Sequence, residues 1–276
     1  MQLPVLPLID HHARLVSGHY ADEFAEAHAK NLIVRQALGA GLPLAGVGCA
    51  IARERLDMVS HAAGGAPFDA GSLTEDYELG LMLSETGAES VIARVREAAG
   101  GPLVAVRAYF PSTFGEAIRQ KARWMTGIAL AGWDRVGWAP AHDWAEHWMR
   151  MRDRRAPLAV LVLAVAYVAL VMWGAAGVAH WTVHTPRPEV VPATALLLRV
   201  NAVLLAWRMM MRVAFTTRDY GWIEGLWSLP RTLVGNYIAL LAVRRAVWRY
   251  AGSLRGKSLV WEKTTHTFPV DPAVET

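Results

Sequence analysis

The sequence predicts an α/β domain over residues 1–150, followed by a region of membrane helices. Within the first region, residues 89–97 and 102–110 alternate apolar and polar side chains, as half-buried strands do. The stretch 113–133 has the apolar spacing of a helix. Residues 157–179 contain no charged side chain. A helix of that length reaches about 34 Å, which is enough to cross the hydrocarbon core of a bilayer.

The composition favours the same division of the chain. Hydrophobic residues make up 54% of the 276 residues, and the mean hydropathy is +0.22, which suits a protein that is part soluble and part membrane. The net charge of +4 is too small to predict a nucleic-acid partner, and we expect none. The single cysteine, Cys49, excludes a disulfide within this chain and a cysteine-based zinc site, and its small apolar neighbours predict a buried, unreactive thiol.

Local patterns predict the elements of the first region in order. Residues 20–38 have a loosely periodic apolar pattern and predict a helix. The glycine-rich stretch 39–53 predicts a turn, a buried strand and the start of another helix. The helix over 113–133 opens with Thr113 and Glu116, which have the spacing of a capping box.

A further helix start is predicted in SLTEDYELGL, residues 72–81. Ser72 and Glu75 have capping-box spacing, and acids in a first turn suit the helix dipole. Considered alone, Glu75 and Asp76 are better explained as a helix start than as catalytic acids. The core-facing side of this helix is predicted at Leu79, Met82 and Leu83.

The membrane region is predicted to occupy residues 156–250. Two transmembrane helices are expected, at about 157–180 and 190–211. A third apolar stretch, at about 223–245, contains proline and polar residues and has arginines at both ends. We therefore expect an interfacial or re-entrant helix there, followed by a cytoplasmic tail at 251–276.

Charge around the first span predicts its orientation. The basic cluster RMRDRR, residues 150–155, precedes the span, whereas the next loop, 180–189, has a single arginine. Positive charge is retained on the cytoplasmic side of membranes. The soluble region is therefore expected in the cytoplasm.

A second polar motif lies in the helix over 113–133. Gln120, Arg123 and Trp124 occupy positions i, i+3 and i+4, so they share one helix face. An exposed face with an amide, a guanidinium and an indole suits a sugar and a phosphate, because indole stacks on a pyranose and arginine binds phosphate through two N–H groups. The alternative is an amphipathic helix near the membrane, with Trp124 at the interface.

The two motifs together resemble the family 2 membrane glycosyltransferases. Thr74-Glu75-Asp76 is followed about 45 residues later by Q-x-x-R-W and then by membrane helices, as in these inverting, processive-type enzymes, which include cellulose and hyaluronan synthases. The flanking YADEFAE, LPLAGVGCAIAR and FDAGSLTEDYELGLML are most similar to the phage-adsorption branch of the family. The resemblance implies the C-terminal, acceptor half of a GT-A nucleotide-sugar transferase domain. It also implies a multi-pass protein of the bacterial inner membrane, with its catalytic region in the cytoplasm.

The resemblance also implies roles for individual residues. Asp76 matches the general base that takes the proton from the acceptor hydroxyl, and Thr74 and Glu75 would position it. The implied partners are a nucleotide-sugar donor, a glycan acceptor and the lipid bilayer. The second motif is implied to line the acceptor site and to lie near the donor pyrophosphate, through Gln120, Arg123 and Trp124.

The C-terminal tail has a looser likeness to the same family. Its WEKTTH, residues 261–266, resembles the gating loop that folds over the bound nucleotide. Lys263 and His266 would then contact phosphate. A basic juxtamembrane tail is the alternative for this segment.

One departure from the family pattern concerns the metal. The family binds the nucleotide and a divalent cation, Mg²⁺ or Mn²⁺, through a D-x-D motif upstream of T-E-D. The aspartates before Thr74 are isolated here, so we expect no ligands for this cation in the chain. The chain is therefore expected to begin inside the catalytic domain and to act with an N-terminal glycosyltransferase half or an outer-membrane partner.

Two other functions stay open at this stage. The chain could be a non-catalytic membrane component of a polysaccharide-export or phage-receptor system. It could also be a plain membrane protein, such as a transporter, in which T-E-D is only a helix cap.

Overall fold

A computed structural model describes residues 1–69, 71–185 and 189–259, and helices dominate them. A short 3₁₀ turn, His11–Ala13, precedes the first helix. The α-helices are α1 (Arg14–Glu26), α2 (Leu32–Ala37), α3 (Arg53–Ala62), α4 (Glu75–Glu85), α5 (Phe114–Trp124), α6 (Gly132–Val136), α7 (Trp144–Arg154), α8 (Ala156–Val183), α9 (Pro192–Tyr220) and α10 (Trp222–Ser253).

Two π turns connect helices that would otherwise be continuous. The first, Ala27–Asn31, joins α1 to α2, and the second, Met125–Ala131, joins α5 to α6. The helices predicted over 20–38 and 113–133 therefore form, but each contains a wider turn. The N-cap predicted at Thr113 is confirmed, because its hydroxyl accepts a hydrogen bond from the Glu116 N–H at 3.4 Å. The Glu116 carboxylate accepts from the same hydroxyl at 3.0 Å.

The predicted α/β class is wrong for this fold. Residues 89–97 and 102–110 form isolated bridges, but the described part of the chain has no sheet. The buried strand predicted within 39–53 is also absent from that part, and Cys49, predicted to be buried, is exposed.

The absence of a ladder in the described residues has a physical cause in the N-terminal segment, residues 1–8. Prolines at positions 4 and 7 have no N–H to donate. Alternating side chains indicate a strand only where a partner pairs continuously, and here the partner changes within a few residues. Gln2 donates to Val91 O at 2.8 Å, Leu3 to Gly48 O at 2.8 Å and Val5 to His28 Nδ1 at 3.3 Å. Only Leu6 and Leu8 donate to one stretch, at Val106 O and Ala108 O, each at 2.9 Å.

Helix α4 has the predicted core side but a different N-terminus. Leu79 and Leu83 are buried against α3, and Met82 packs beside them. The capping box predicted for Ser72 and Glu75 is wrong, because Thr74 is the N-cap residue and makes no side-chain capping bond. The Ser72 hydroxyl instead donates to Glu78 Oε1 at 2.7 Å and accepts from the Thr74 N–H at 3.1 Å.

Helix α7 contains one buried ion pair and reaches α4 through another contact of the same arginine. The fully buried Arg150 donates to Glu146 Oε1, one turn earlier in α7, at 2.8 Å and to Glu85 Oε1, at the end of α4, at 2.7 Å. Arg154 is also buried. Half of the arginines in the basic cluster 150–155 therefore serve packing rather than the membrane surface.

A second group of contacts joins α7 to the start of α4. Asp153 Oδ2 accepts hydrogen bonds from the Tyr77 hydroxyl at 2.8 Å and from Arg35 Nη1 at 2.6 Å. Tyr77 directly follows the T-E-D motif in the chain. The position of the motif is therefore tied to the helix that leads into the apolar region.

Three helices of the described chain are long and apolar enough to cross a membrane: α8, α9 and α10. They cover the three predicted apolar stretches, although α9 and α10 extend well beyond them. In the most apolar part of α8, 6% of the residues are buried, and in that of α9 the share is 0%, as expected of helices that face lipid. These helices indicate a membrane protein.

Helix α10 differs from α8 and α9 because one of its sides packs on the soluble region. It contacts α1 and α5 as well as α9, and 28% of its most apolar part is buried. On this side, Arg231 is fully buried and donates to Asp22 Oδ1 at 3.1 Å, while its other nitrogens bind Glu224 and the Arg14 carbonyl. A single helix thus contacts both the apolar region and α1.

Candidate functional site

A cavity of about 540 Å³ is lined by residues from both sequence motifs. It lies between α1 with its π turn, the N-terminus of α4, the helix α5, and non-helical segments near residues 43–47 and 106–110. The chain brings five predicted site residues to its wall: Thr74, Asp76, Gln120, Arg123 and Trp124.

Asp76 lies in the first turn of α4 and is partly buried. Its Oδ1 atom accepts a hydrogen bond from the Tyr77 N–H at 2.8 Å. Burial raises the pKa of Asp76 above its ordinary value, against the lowering effect of this hydrogen bond. Gly46 has a φ of +70°, and a Cβ there would lie 2.9 Å from Asp76 Oδ2, so the loop can approach the carboxylate closely only with glycine.

Thr74 is buried beside Asp76, and its hydroxyl oxygen has no hydrogen-bond partner in the described residues. Its side chain packs against Gly127 in the second π turn, where a Cβ would lie 2.7 Å from Thr74 Cγ2. This glycine lets the turn after α5 approach the N-terminus of α4. The contact brings the two motifs together.

The face of α5 that carries Q-x-x-R-W points inward rather than to solvent. Gln120 is 6% exposed, and within the described chain its Oε1 atom has no hydrogen-bond partner. Arg123 donates to the Leu73 carbonyl at 3.2 Å, and its charge opposes the rise in the pKa of Asp76. The exposed face that the sequence predicts is therefore wrong, because these side chains line the cavity.

Trp124 forms part of an aromatic wall in the cavity. Its ring lies 6.1 Å from Tyr20, 6.2 Å from Phe24 and 6.3 Å from Phe110, measured between centroids. These edge-to-face and tilted contacts hold the indole against α1 and against the segment that precedes α5. Trp124 is therefore placed by packing within the domain, which disfavours the alternative of a membrane-interface anchor.

Other predicted site residues lie elsewhere. Glu75 is exposed and is absent from the cavity wall among the described residues. Lys263 and His266 lie outside the residues that the structure describes.

Sequence reasoning missed three cavity residues in the helix from α1 into its π turn: Glu23, Phe24 and His28. Lys121 donates to both Glu23 oxygens, at 2.6 and 2.7 Å. Burial favours the protonated form of Glu23, but the Lys121 ammonium outweighs it and holds the pKa below its ordinary value. The signal available in the sequence was the i, i+4 spacing of Phe24 and His28, which places both on one helix face.

The cavity does not fit the divalent cation that the family resemblance implies. In the described parts of the chain, no group of three His, Cys, Asp or Glu side chains is placed to hold a metal ion. On the cavity wall, Glu23 is bound by Lys121, and Asp76 accepts from its neighbouring backbone N–H. A hard dication takes several oxygen ligands, which this wall does not provide.

A family model described as "Glycosyl transferase family group 2" matches residues 1–211, so the chain belongs to this family of glycosyltransferases. It is 31% identical to "Bacteriophage adsorption protein B" of Escherichia coli (strain K12), over 98% of this chain and 38% of that protein. The same identity and coverage hold for "Bacteriophage N4 adsorption protein B" of Escherichia coli O157:H7.

These matches confirm the family and the branch that the motifs predict. The chain spans 38% of the length of the curated relatives that it matches. No solved structure matches the chain.

Proposed function

We propose that the chain transfers a sugar from a nucleotide-sugar donor to a glycan acceptor, with inversion, at the cytoplasmic face of the bacterial inner membrane. The observation that carries the proposal is the meeting of T-E-D and Q-x-x-R-W at one cavity. The family membership supports glycosyl transfer as the general class of reaction. The donor, the acceptor and the roles of individual residues belong to the same proposal.

Asp76 is assigned as the general base. Its carboxylate takes the proton from an acceptor hydroxyl while that oxygen bonds to the anomeric carbon, and the bond from this carbon to the donor diphosphate breaks. The electron pair leaves with the diphosphate. A raised pKa makes the Asp76 carboxylate a stronger base than an ordinary aspartate, and Arg123 supplies positive charge on the same wall.

The rest of the wall suits a pyranose. A sugar ring has apolar C–H faces and a polar rim of hydroxyl groups. The aromatic side of the cavity offers Phe24, Phe110 and Trp124 to the faces. Thr74 and Gln120 offer buried oxygens that have no partner within the described residues, which a hydroxyl-rich ligand would satisfy.

We also propose how the three long helices lie in the membrane. Helices α8 and α9 form the two crossings, and α10 lies at the cytoplasmic interface beneath the cavity. The inner side of α10 packs on α1 and α5, whereas Trp222 and Trp248 are 67% and 71% exposed at its two ends. Tryptophans of this kind favour the membrane–water interface.

A second candidate is a non-catalytic membrane component of a polysaccharide-export or phage-receptor system. It is favoured by the cavity's poor fit to a divalent cation among the described residues. In this case an N-terminal glycosyltransferase half or an outer-membrane partner would supply what the cavity lacks.

The test is release of nucleoside diphosphate by the purified protein in detergent, with a panel of nucleotide sugars and with Mg²⁺ or Mn²⁺. We expect Asp76→Asn to lower turnover by at least about 100-fold, as loss of a general base does. The control is Asp57→Asn, which makes the same change on the exposed side of α3. Full turnover by Asp76→Asn refutes the assignment of the base. A folded wild type that turns over no donor favours the second candidate.

A further inference from the structure

We propose that His28 contacts the substrate, donating a hydrogen bond from its Nε2–H to a hydroxyl oxygen of a sugar bound in the cavity. This inference rests on the proposed function and adds a residue to it. It assigns a neutral hydrogen-bond donor to the side of the cavity formed by the first π turn.

The tautomer of His28 follows from its backbone contact. The Val5 N–H donates to His28 Nδ1 at 3.3 Å, so this nitrogen must carry a lone pair. In a neutral imidazole the proton then resides on the other nitrogen, Nε2. The fold therefore presents Nε2 as a donor.

Packing holds this donor at the cavity and leaves it without an acceptor among the described residues. His28 is buried, and its ring stacks on Phe24 with 5.3 Å between centroids and 11° between planes. The side chain lines the cavity, and none of the described residues accepts a hydrogen bond from Nε2. A bound ligand is thus the natural acceptor.

The charge state of His28 selects the kind of acceptor. Burial, aided by the Arg94 guanidinium, lowers the pKa of His28 to about 4. The ring is therefore neutral at physiological pH and offers no positive charge to a phosphate. A neutral N–H suits a sugar hydroxyl, whereas Arg123 is the cationic group on the same wall.

Two substitutions separate binding from a structural role. In His28→Asn, the amide oxygen can replace Nδ1 as acceptor for Val5, but no donor reaches the position of Nε2. In His28→Gln, the longer amide can place an N–H near Nε2, but the acceptor for Val5 is lost. A residue that contacts substrate should tolerate Gln better, and a residue that only supports Val5 should tolerate Asn better.

The experiment measures binding without turnover. Saturation-transfer NMR would be recorded on the detergent-solubilised chain with glucose, galactose and N-acetylglucosamine as probes. We expect wild type and His28→Gln to bind at least one of these sugars, and His28→Asn to bind it about tenfold more weakly, as loss of one hydrogen bond does. His12→Asn, outside the cavity wall, is the matched control.

The outcomes distinguish this inference from the proposed function. Equal binding by the Asn and Gln variants, stronger binding by the Asn variant, or no binding of any probe by wild type overturns the role of His28. If the two variants differ as expected but no nucleotide sugar is turned over, the role stands and the proposed activity fails. Thermal unfolding of both variants in the same detergent shows whether either has lost its fold.

Discussion

Replacement of Arg231 by methionine tests how the membrane region is joined to the soluble region. Arg231 is 0% exposed and joins α10 to Asp22 of α1 at 3.1 Å. Methionine fills much of the same space but leaves the Asp22 carboxylate buried, with Thr216 as its remaining described hydrogen-bond partner at 3.3 Å. Removal of one partner from a buried ion pair costs about 3–5 kcal/mol.

The cost should depend on pH, because burial raises the pKa of Asp22 to about 6 even with Arg231 present. Without the arginine, Asp22 avoids the buried charge by binding a proton, which becomes easier as the pH falls. We therefore expect the loss of stability in Arg231→Met to be larger at pH 8 than at pH 5. At about 2–4 °C per kcal/mol, the thermal midpoint at pH 8 should fall by roughly 6–20 °C.

The assay is thermal unfolding in detergent, followed by circular dichroism. Arg244→Met makes the same substitution at an exposed position of α10 and should shift the midpoint by less than about 2 °C. Adding Asp22→Asn to Arg231→Met should recover part of the lost stability, because it removes the buried carboxylate that has no arginine partner. A midpoint in Arg231→Met that matches wild type at pH 8 would refute the reasoning and indicate that α10 is not held through this ion pair.

Three further predictions follow from the cavity. Gly127→Ala should lower the free energy of unfolding by about 1–3 kcal/mol, because its methyl group would overlap Thr74. The control is Gly174→Ala, whose methyl group would have nothing within 4 Å. If the two variants unfold at the same temperature, the contact with Thr74 is contradicted. His28 should make the wild type less stable at low pH, because its folded pKa of about 4 lies below the unfolded value of 6.5. As the pH falls from 6.5 to 4, the unfolded state takes up the proton first, and the advantage of wild type over His28→Asn should shrink by up to about 1.4 kcal/mol per pH unit; parallel stability curves would disprove the buried neutral ring. The raised pKa of Asp76 should move the acid limb of kcat/KM to higher pH than an ordinary aspartate gives, and a limb at the ordinary value would exclude Asp76 as the group titrated.

The elements that the sequence predicted correctly are those specified by neighbouring residues. The helix over 157–180 forms because a long uncharged apolar run is local information. The cap at Thr113 forms because its hydroxyl needs only a backbone N–H three residues ahead. Ser72 has the same spacing to Glu75, but its hydroxyl donates to Glu78 instead. Glu78 is held there by a distant residue, because Arg135 binds its carboxylate at 3.2 Å.

The features that the sequence did not predict depend on distant partners. Alternation over 89–97 and 102–110 indicates a sheet only if another segment pairs along its length. The N-terminal segment instead pairs with a few residues of each stretch, near 91–93 and 106–109. His28 became a candidate only when the structure placed its Nδ1 atom against Val5, 23 residues earlier. The meeting of Asp76 with Gln120 at one cavity was implied by resemblance, whereas their roles in catalysis stay predictions.

The π turn at Ala27–Asn31 makes the chain tolerant of a change in length at this point. A π turn holds one residue more than an α turn, so deletion of a single residue there would restore a regular helix. The residues beyond it would keep their faces relative to α1, and Arg35 Nη1 would keep its contact with Asp153 at 2.6 Å. The same deletion inside the regular part of α1 or α2 would instead rotate the residues beyond it by about 100°. Natural variants of this protein should therefore accept loss of one residue at this turn more readily than in the regular helices on either side.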